Sequence, residues 1–431
     1  MTTGDSVGRL RWWLCGLLFV ATAMSFMDRM VLSALAPEIT RQLDMSNEAY
    51  AQVNNAFLFS YSVMFLLGGR LLDVVGTRWG MTLSVGVWSL ASGLHAAVHS
   101  VTQLGLCRFL LGMGEGGCFP GAAKGVAQWF APRQRALAMG FAIGGASLGS
   151  VVATPLAVFL SQAVGWRGVF IVTGLIGAVW VVVWWLLSGR MTRCEAARDA
   201  ADQGGPAPHA ERVSIWALLP RKDVWGLALM RFIFDPVFYF YMFWIPKYLA
   251  EARGISKEEI GALAWIPFLA LGISNVAGGW ISDRLIRQGM PTLTARKLIM
   301  ALAALLTMSS SLAGLAGNVG LAIGMMALLM FAHGFWITNY VTVIGDRFPQ
   351  GAVGTVMGLS GAVGAVGGML ANTGIGWAVT HLSYGPVWLA SGLLYPLAFV
   401  VLLVTVRGAG LRLTPASGTA ARPGSAGDES L

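Results

Sequence analysis

Two short hydrophilic stretches with the same spacing decide how this chain folds: residues 69–78 read GRLLDVVGTR, and residues 279–284 read GWISDR. Each contains Gly-x-x-x-Asp, and the two aspartates, Asp73 and Asp283, lie 210 residues apart. Glycine allows helices to approach closely, and the charged residues can pair with groups at helix ends and so hold one conformation. The spacing predicts a duplicated unit with a charged loop at the same place in each copy, although an ordinary charged hairpin is the alternative for either stretch alone. The residues assigned to conformational control are Gly69, Asp73, Gly76, Arg78, Asp283 and Arg284.

Apolar segments of about 20 residues fill most of the remaining chain, and each can cross a hydrocarbon core roughly 30 Å thick. Of the 431 residues, 56% are hydrophobic and only 11% are charged, and the mean hydropathy is +0.68, whereas a soluble domain is roughly 25% charged. The first apolar run is longer than the about 7–15 residues of a signal-peptide core, so we expect it to remain as the first membrane span. The predicted spans, numbered 1 to 12, are residues 11–36, 50–68, 79–99, 101–127, 134–160, 166–188, 223–250, 257–281, 295–316, 319–343, 351–378 and 384–406.

The distribution of basic residues predicts the orientation of the chain. A net charge of +9 could indicate a nucleic-acid or anionic partner, but in membrane proteins basic residues collect in cytoplasmic loops. With both termini in the cytoplasm, five of the 29 Lys and Arg residues fall outside and four lie within or at the edge of spans, which leaves 20 on the cytoplasmic side. The five outside are Arg41, Arg167, Lys247, Arg253 and Lys257. This asymmetry predicts cytoplasmic N and C termini.

A hydrophilic segment divides the predicted spans into six and six. We expect an N-terminal six-helix bundle at residues 1–188, a flexible cytoplasmic linker at 189–222, a C-terminal six-helix bundle at 223–406, and a disordered cytoplasmic tail at 407–431. The linker and tail are rich in Gly, Pro, Ala, Ser and charged residues, which cannot form a packed core. The predicted fold class is an all-α integral membrane protein with twelve transmembrane helices, and the parallel repeat is the plan of the major facilitator fold.

Six ionisable residues lie inside predicted spans, where each costs at least roughly 2.5–3.5 kcal/mol and needs a partner, a cavity or a function. They are Asp28 and Arg29 on span 1, Arg108 and Glu115 on span 4, and Arg231 and Asp235 on span 7. Arg108 and Glu115 share a helix face but lie roughly 10 Å apart along the axis, too far to neutralise each other directly. Arginine stays charged and binds carboxylates, whereas a desolvated carboxyl group can take up and release protons. Spans 1 and 4 are therefore predicted to hold protons and an organic anion in a water-filled cavity, with buried salt bridges that only fix helix packing as the alternative.

Span 7 has a different charge pattern. Arg231 and Asp235 are four residues apart, so they can pair on one helix face, and a structural ion pair is the favoured interpretation. Pro236 directly follows the aspartate and removes a backbone donor, which membrane helices tolerate where neighbours or a cavity satisfy the freed carbonyl. Asp235 and Pro236 therefore make span 7 a candidate gate.

Neutral polar side chains and glycines also lie within the spans. Each polar residue can bind substrate or simply hold two helices together, and the second role is the commoner one. These residues are Asn55, Tyr61, Ser147, Asn275, His333, Thr338, Asn339 and Asn372. Glycine clusters on spans 5 and 11 are typical of closely packed helices that slide or rock. The four cysteines have no spacing that suggests disulfides or a zinc site.

Several segments resemble a known family. They are residues 25–29 (SFMDR), 108–120 (RFLLGMGEGGCFP), 128–135 (QWFAPRQR) and 231–236 (RFIFDP). Together they resemble the anion:cation symporter family of the major facilitator superfamily, and in particular the hexuronate transporters, bacterial inner-membrane proteins that take up sugar acids with protons. The resemblance covers nearly the whole chain apart from the linker and the tail, and the span 4 motif is its most specific part.

The resemblance implies roles for individual residues. It implies that Arg29 contacts the substrate carboxylate, that Asp28 and Glu115 take up and release protons, and that Arg108 links the two sites. It also suggests that Tyr61 and Asn339 hydrogen-bond substrate hydroxyls, and we place Ser147 in the same pocket.

Two departures from the family pattern remove polar groups from that pocket. Ser25 and Phe26 stand where relatives usually have Asn and Tyr, and Ile143 and Ser147 stand where asparagines are common. A hydroxylated ligand needs a partner for each buried hydroxyl, so a smaller or more apolar carboxylate is the alternative substrate.

The sequence thus predicts a secondary transporter that couples protons to uptake of an organic anion such as a hexuronate or aldonate by alternating access. Its expected partners are the small anion, protons and the bilayer, as a monomer in the inner membrane, without nucleic acid, cofactor or metal. A proton-antiport exporter of drugs or metabolites on the same fold is the main alternative, and a non-transporting sensor is a remote one. No catalytic constellation is present, and GMGEGG at residues 112–117 matches a dinucleotide motif only in spelling because no strand precedes it.

Overall fold

A computed structural model gives the fold and describes residues 3–130, 132–201 and 215–407. Helices dominate the described residues, which contain no β-strand, as predicted. The first half contains Thr3–Ala34, Ala36–Gln42, Asn47–Leu94, Val101–Glu115, Cys118–Trp129 and Pro132–Ala201, with a 3-10 helix at His95–Ala97. The second half contains Ile215–Leu218, Lys222–Arg253, Lys257–Leu263, Ile266–Arg287, Thr292–Thr307, Val319–Arg347, Gln350–His381 and Gly385–Thr405, with a 3-10 helix at Met308–Leu315.

Two of these helices are too long to be single membrane crossings. Asn47–Leu94 has 48 residues and Pro132–Ala201 has 70, whereas about 20 residues are enough to cross a bilayer. Each is interrupted at one glycine with positive φ, Gly76 at 80° and Gly165 at 68°. Residues with a side chain rarely adopt this conformation. Span 2 therefore meets span 3 at Gly76, and span 5 meets span 6 at Gly165.

The number of crossings agrees with the prediction of twelve. Within the described residues, nine helical segments are long and apolar enough to cross a membrane. Two of these nine are the double crossings that turn at Gly76 and Gly165. Span 4 is one more, because Gly116 and Gly117 interrupt it between Val101–Glu115 and Cys118–Trp129. Dividing the two double crossings and adding span 4 gives twelve spans, six on each side of residues 202–214.

The prediction that residues 69–78 and 279–284 form loops is wrong. The helix Asn47–Leu94 continues through the first stretch except at Gly76, and the helix Ile266–Arg287 contains the second. One residue with positive φ is enough to redirect the chain, and the residues around it have ordinary helix propensities. Span 6 also continues past its predicted end at residue 188 to Ala201. Residues 202–214 of the predicted linker and the predicted tail from residue 408 lie outside the described residues. The last part of the predicted linker contains the short helix Ile215–Leu218.

Glycines show the same packing in both halves. A Cβ on Gly149 of span 5 would lie 2.9 Å from Ala23 Cα of span 1, and a Cβ on Gly367 of span 11 would lie 3.0 Å from Phe232 Cα of span 7. Spans 5 and 11, and likewise spans 1 and 7, occupy corresponding places in the predicted repeat. The close approach expected of the glycine clusters is therefore present at these positions in both halves. Gly144, in contrast, has open space beside it.

Candidate functional site

Arg29 and Glu115 form an ion pair inside the first half. Arg29 Nε lies 2.5 Å from Glu115 Oε2, and the two side chains are 5% and 0% exposed. Ser25 donates a hydrogen bond to the same carboxylate oxygen (2.9 Å) and accepts one from Arg29 Nη2 (3.1 Å). Of the four charged residues on spans 1 and 4, Arg29 and Glu115 thus find each other across the two helices.

Aromatic rings enclose the Arg29 guanidinium. Its central carbon lies 4.3 Å from the ring centre of Tyr61, 4.7 Å from that of Phe26 and 5.4 Å from that of Phe57. A desolvated cation over an aromatic face gains about 2 kcal/mol. Phe26, one of the departures from the family pattern, therefore supports the arginine through its ring and offers no hydrogen bond to a ligand.

Arg108 of span 4 is a second buried arginine close to the Arg29–Glu115 pair. Its side chain is fully buried, its guanidinium lies 4.9 Å from the Phe57 ring centre, and its Nη2 donates a long 3.5 Å bond to the Arg29 carbonyl. Its Nε and Nη1 and the second oxygen of Glu115 have no hydrogen-bond partner among the described residues. Buried charged groups normally have partners, so this region has unused capacity for water or a proton.

Asp28 points to a different side of span 1 from Arg29 and has neutral partners. Ser92 Oγ of span 3 lies 3.5 Å from its Oδ1 and 2.8 Å from Thr173 Oγ1 of span 6. No Lys, Arg or His pairs with Asp28 in the described part of the chain. The two predicted proton carriers therefore differ, since Glu115 faces a cation and Asp28 faces hydroxyl groups.

The four charged residues predicted to line a water-filled cavity have almost no exposed surface in this conformation. Asp28 is 2% exposed, Arg29 4%, and Arg108 and Glu115 0%. Glu115 and three aromatic rings surround Arg29, so Arg29 has little contact with solvent in this state, and the water-filled cavity stays a prediction. Tyr61 and Ser147 remain half-buried.

The other predicted substrate residues lie where the halves meet or inside the second half. A Cβ on Gly272 of span 8 would lie 3.6 Å from Ser147 Cβ of span 5, so Ser147 lies between the halves. Asn339 is fully buried, and its amide donates to the carbonyls of Phe335 (2.8 Å) and Gly278 (3.4 Å). The structure thus places Asn339 between spans 8 and 10, away from Arg29's own network.

Arg231 and Asp235 form the predicted pair on span 7. Arg231 Nε lies 2.9 Å from Asp235 Oδ2, and the arginine side chain is 21% exposed. The helix Lys222–Arg253 continues through Pro236 and Pro246. A Cβ on Gly364 of span 11 would lie 2.7 Å from Arg231 Cγ, so span 11 packs tightly against this pair.

The predicted conformational residues lie at the end of the molecule where the helix Thr3–Ala34 begins and the helix Gly385–Thr405 ends, which we call the proximal end. Asp73 lies 3.2 Å from Lys124 Nζ, which also donates to the Leu72 carbonyl (2.5 Å). Arg78 donates to the Trp185 carbonyl (3.2 Å) and lies over that indole ring.

In the second half, the charged residues of residues 279–284 are arranged similarly. Asp283 lies 2.8 Å from Arg296, which also contacts Asp346 at 3.3 Å, and Arg284 lies over Trp280. Sequence reasoning missed Lys124 and Arg296. Their position at the proximal end of a span was the available signal, because a cation there can reach the aspartate of the neighbouring hairpin.

A polar contact joins the halves at the opposite, distal end, through residues that the sequence marked as possible interhelical contacts without giving their partners. Asn372 of span 11 donates to the Ala51 carbonyl (2.8 Å) and to Asn55 Oδ1 (3.0 Å) of span 2, and accepts from Trp244 Nε1 of span 7 (2.5 Å). Asn55 also donates to Thr373 (2.8 Å). Asn55 and Asn372 therefore act as the interhelical contacts that the sequence allowed for.

Further contacts close the distal end. Ser33 and Tyr50 of the first half both donate to the Phe243 carbonyl, at 3.0 and 2.6 Å, and Lys257 pairs with Glu38 at 2.6 Å. These bonds join the halves on one side of Arg29 only. The molecule is thus closed at the distal end.

Two six-helix halves related as a parallel repeat, with charged residues buried inside them, are the plan of the major facilitator fold. The chain belongs to the Major Facilitator Superfamily, whose family profile matches residues 18–372. It is accordingly a multi-pass membrane transporter and not an enzyme.

Three curated relatives illustrate its similarity. The hexuronate transporter of Escherichia coli K12 is 27% identical over 388 residues, which cover 88% of this chain and 90% of the relative. The hexuronate transporter of Bacillus subtilis is 30% identical over 386 residues, with 87% and 90% covered. The D-galactonate transporter of E. coli O6:H1 is 26% identical over 421 residues, with 94% and 98% covered.

A solved structure supports the fold. A bacterial homologue of the human lysosomal transporter Spinster, in an inward-facing and unoccupied conformation, matches with a TM-score of 0.68 at 17% identity. The match covers 92% of this chain and 95% of that one. At this identity the likeness concerns the fold alone.

Proposed function

We propose that this chain is a symporter that takes up an organic carboxylate together with protons by alternating access. It works as a monomer in the bacterial inner membrane with both termini in the cytoplasm. Hexuronates and aldonates are the first candidate substrates, because the relatives carry those names. The observation that carries the proposal is the buried Arg29–Glu115 pair between spans 1 and 4.

Glu115 holds the position that a substrate carboxylate would take at Arg29. Both would present an oxygen to the same guanidinium, and two ionised carboxylates cannot share one buried cation without strong repulsion. When Glu115 gains a proton, it no longer forms an ion pair with Arg29, and the arginine is then free to bind the substrate carboxylate. Proton binding and anion binding therefore favour each other, which is the requirement for symport.

The surroundings of Arg29 fit this exchange. Leaving a buried charge without a partner costs about 3–5 kcal/mol, so Arg29 needs either Glu115 or a substrate at every stage. Tyr61 is half-buried and lies 4.3 Å from the guanidinium, one turn before Phe65, whose ring would lie 3.4 Å from a Cβ on Gly361 of span 11, so this face of span 2 meets the second half. A substrate that enters between the halves would thus meet Tyr61 first and Arg29 next, with Asn339 and Ser147 as its further polar contacts.

The distal contacts give this conformation its place in the cycle. With Asn372, Phe243 and Lys257 bonded across the halves, the distal side is closed, and the charge count predicts that side to be the outside. Uptake requires these bonds to break so that substrate and protons can enter. In the opposite state, the proximal ends of the two halves are held instead. The residues assigned to this role are the pairs formed by Asp73 and Asp283, with Gly69, Gly76, Arg78 and Arg284 beside them. Span 7, with Asp235 and Pro236 against span 11, is the gate between the two states.

Uptake into proteoliposomes tests the proposal. Radiolabelled D-glucuronate and D-galactonate are offered with a pH gradient (acidic outside), with a sodium gradient, or with neither. We expect the pH gradient to accelerate uptake of at least one of them severalfold. Stimulation by sodium alone would contradict proton coupling.

Two arginine variants test the binding site. Arg29→Ala removes the only cation that Glu115 contacts in the described residues and is expected to abolish uptake. Arg41→Ala, at an exposed distal position, loses the same charge and should retain uptake. Normal uptake by Arg29→Ala would refute the role of Arg29. A separate measurement addresses the alternative function: stabilisation of the purified protein by apolar cations rather than by acids would favour an antiport exporter.

A further inference from the structure

Asp28 lies at the end of a short chain of hydroxyl groups that the proposed mechanism does not yet use. Ser92 Oγ is 3.5 Å from Asp28 Oδ1, and Thr173 Oγ1 is 2.8 Å from Ser92 Oγ. Thr173 also interacts directly with the carboxyl group and lies 3.3 Å from the Phe170 carbonyl. All three polar side chains are at most 2% exposed. Spans 1, 3 and 6 thus contribute one group each to a buried polar line.

This line can run in two directions. If Asp28 is ionised, Thr173 donates to Ser92 and Ser92 donates to the carboxylate. If Asp28 carries a proton, its own O–H donates to Ser92, Ser92 donates to Thr173, and Thr173 donates to the Phe170 carbonyl. Each hydroxyl has one hydrogen and can rotate, so both protonation states keep every hydrogen satisfied without movement of a helix.

Glu115 has no comparable alternative. Its Oε2 accepts from Arg29 and Ser25, which suits the ionised form, and its Oε1 has no partner among the described residues. A proton on Glu115 breaks an ion pair, whereas a proton on Asp28 only reverses hydrogen bonds. The two carboxyl groups are therefore built for different steps.

The charged and titratable groups around Asp28 come from three spans. Arg29 is its neighbour on span 1 but turns towards Glu115, and Glu115 and Arg108 of span 4 act on Asp28 through space. On span 3, His95 lies one turn beyond Ser92 towards the distal end, fully buried and with its Nε2 unpartnered among the described residues. Span 6 faces Asp28 with the Thr173 hydroxyl.

We infer that Ser92 and Thr173 are positioning residues for proton uptake at Asp28, and that they let this carboxyl group gain and lose its proton while the helices stay in place. The inference rests on the proposed function, because it takes Asp28 as a proton carrier. It assigns to spans 3 and 6 a part in proton coupling.

Infrared spectroscopy of the purified protein in lipid tests the inference without any substrate. A protonated carboxyl group has a C=O stretching band whose frequency falls when its O–H is hydrogen-bonded. The band that Asp28→Asn removes belongs to Asp28. We expect this band to shift to higher frequency in Ser92→Ala and in Thr173→Val, because each variant interrupts the hydroxyl line.

Ser89→Ala is the matched control. Ser89 lies one turn from Ser92 on the same helix, is also buried, and its hydroxyl has no hydrogen-bond partner among the described residues. It should leave the band unchanged, and Thr173→Ser, which keeps the hydroxyl, should restore it. An unchanged band in both Ser92→Ala and Thr173→Val would overturn the inference and leave the proposed symport intact. Absence of any band lost in Asp28→Asn would overturn both the inference and the proton role of Asp28.

Discussion

At the scale of single residues, the pairing of charges is the main outcome. Arg231 and Asp235 are four residues apart, so their pair could be predicted from helix geometry alone. The Arg29–Glu115 pair could not, because it joins positions 86 residues apart and depends on how spans 1 and 4 rotate against each other. The sequence indicated which residues carry charge into the membrane, but only tertiary packing decides which partner each one meets.

Glu115→Gln separates anion binding from proton coupling. Glutamine keeps an oxygen that can accept from Arg29 but cannot gain or lose a proton. We expect exchange of internal for external radiolabelled substrate to persist, while the ratio of uptake with and without a pH gradient falls to about one.

The matched control for this variant is Glu258→Gln, a change of the same kind at an exposed distal position. It should leave the stimulation by the pH gradient as in the unmodified protein. Persistent stimulation in Glu115→Gln would mean that Asp28 alone couples protons to transport.

At the scale of helices, the sequence predicted the number and order of the spans better than it predicted where each span ends. The number of spans and their order followed from hydropathy, because a bilayer requires about 20 apolar residues for each crossing. The ends did not, since residues 69–78 are charged like a loop but only Gly76 leaves the helical conformation. Local composition cannot reveal that a single residue turns the chain.

The close approach of spans 1 and 5 provides a prediction at this scale. Gly149→Ala places a methyl group 2.9 Å from Ala23 Cα and closer still to its carbonyl oxygen, so the two backbones have to separate. Overpacking of this kind costs about 1–3 kcal/mol. Thermal unfolding of the purified protein should show a lower midpoint.

Gly144→Ala is the control on the same helix. Nothing lies within 4 Å of the added methyl group, and alanine favours a helix over glycine by about 1 kcal/mol. Its unfolding midpoint should be unchanged or higher. Equal midpoints for the two variants would show that spans 1 and 5 are not in close contact in the membrane.

At the scale of the whole molecule, the halves are joined at the distal end mostly by neutral polar side chains. Asn55, Thr373 and Asn372 contribute amide and hydroxyl groups, and Glu38 with Lys257 adds one ion pair. Net hydrogen bonds between neutral groups contribute only about 0.5–1.5 kcal/mol each. Such a contact can hold one state and still open during each transport cycle, which a large apolar interface would prevent.

A reversible cross-link tests whether this contact has to open. Asn55 Nδ2 lies 2.8 Å from Thr373 Oγ1 across the halves, so cysteines at both positions should form a disulfide on mild oxidation. If alternating access operates, the oxidised double variant loses uptake and a reductant restores it. Phe59→Cys with Thr373→Cys is the control. Phe59 lies one turn further along span 2 and has no described contact with Thr373, so this pair should neither cross-link nor lose uptake. Full uptake by a completely cross-linked Asn55→Cys/Thr373→Cys protein would mean that substrate passes without separation of the distal ends.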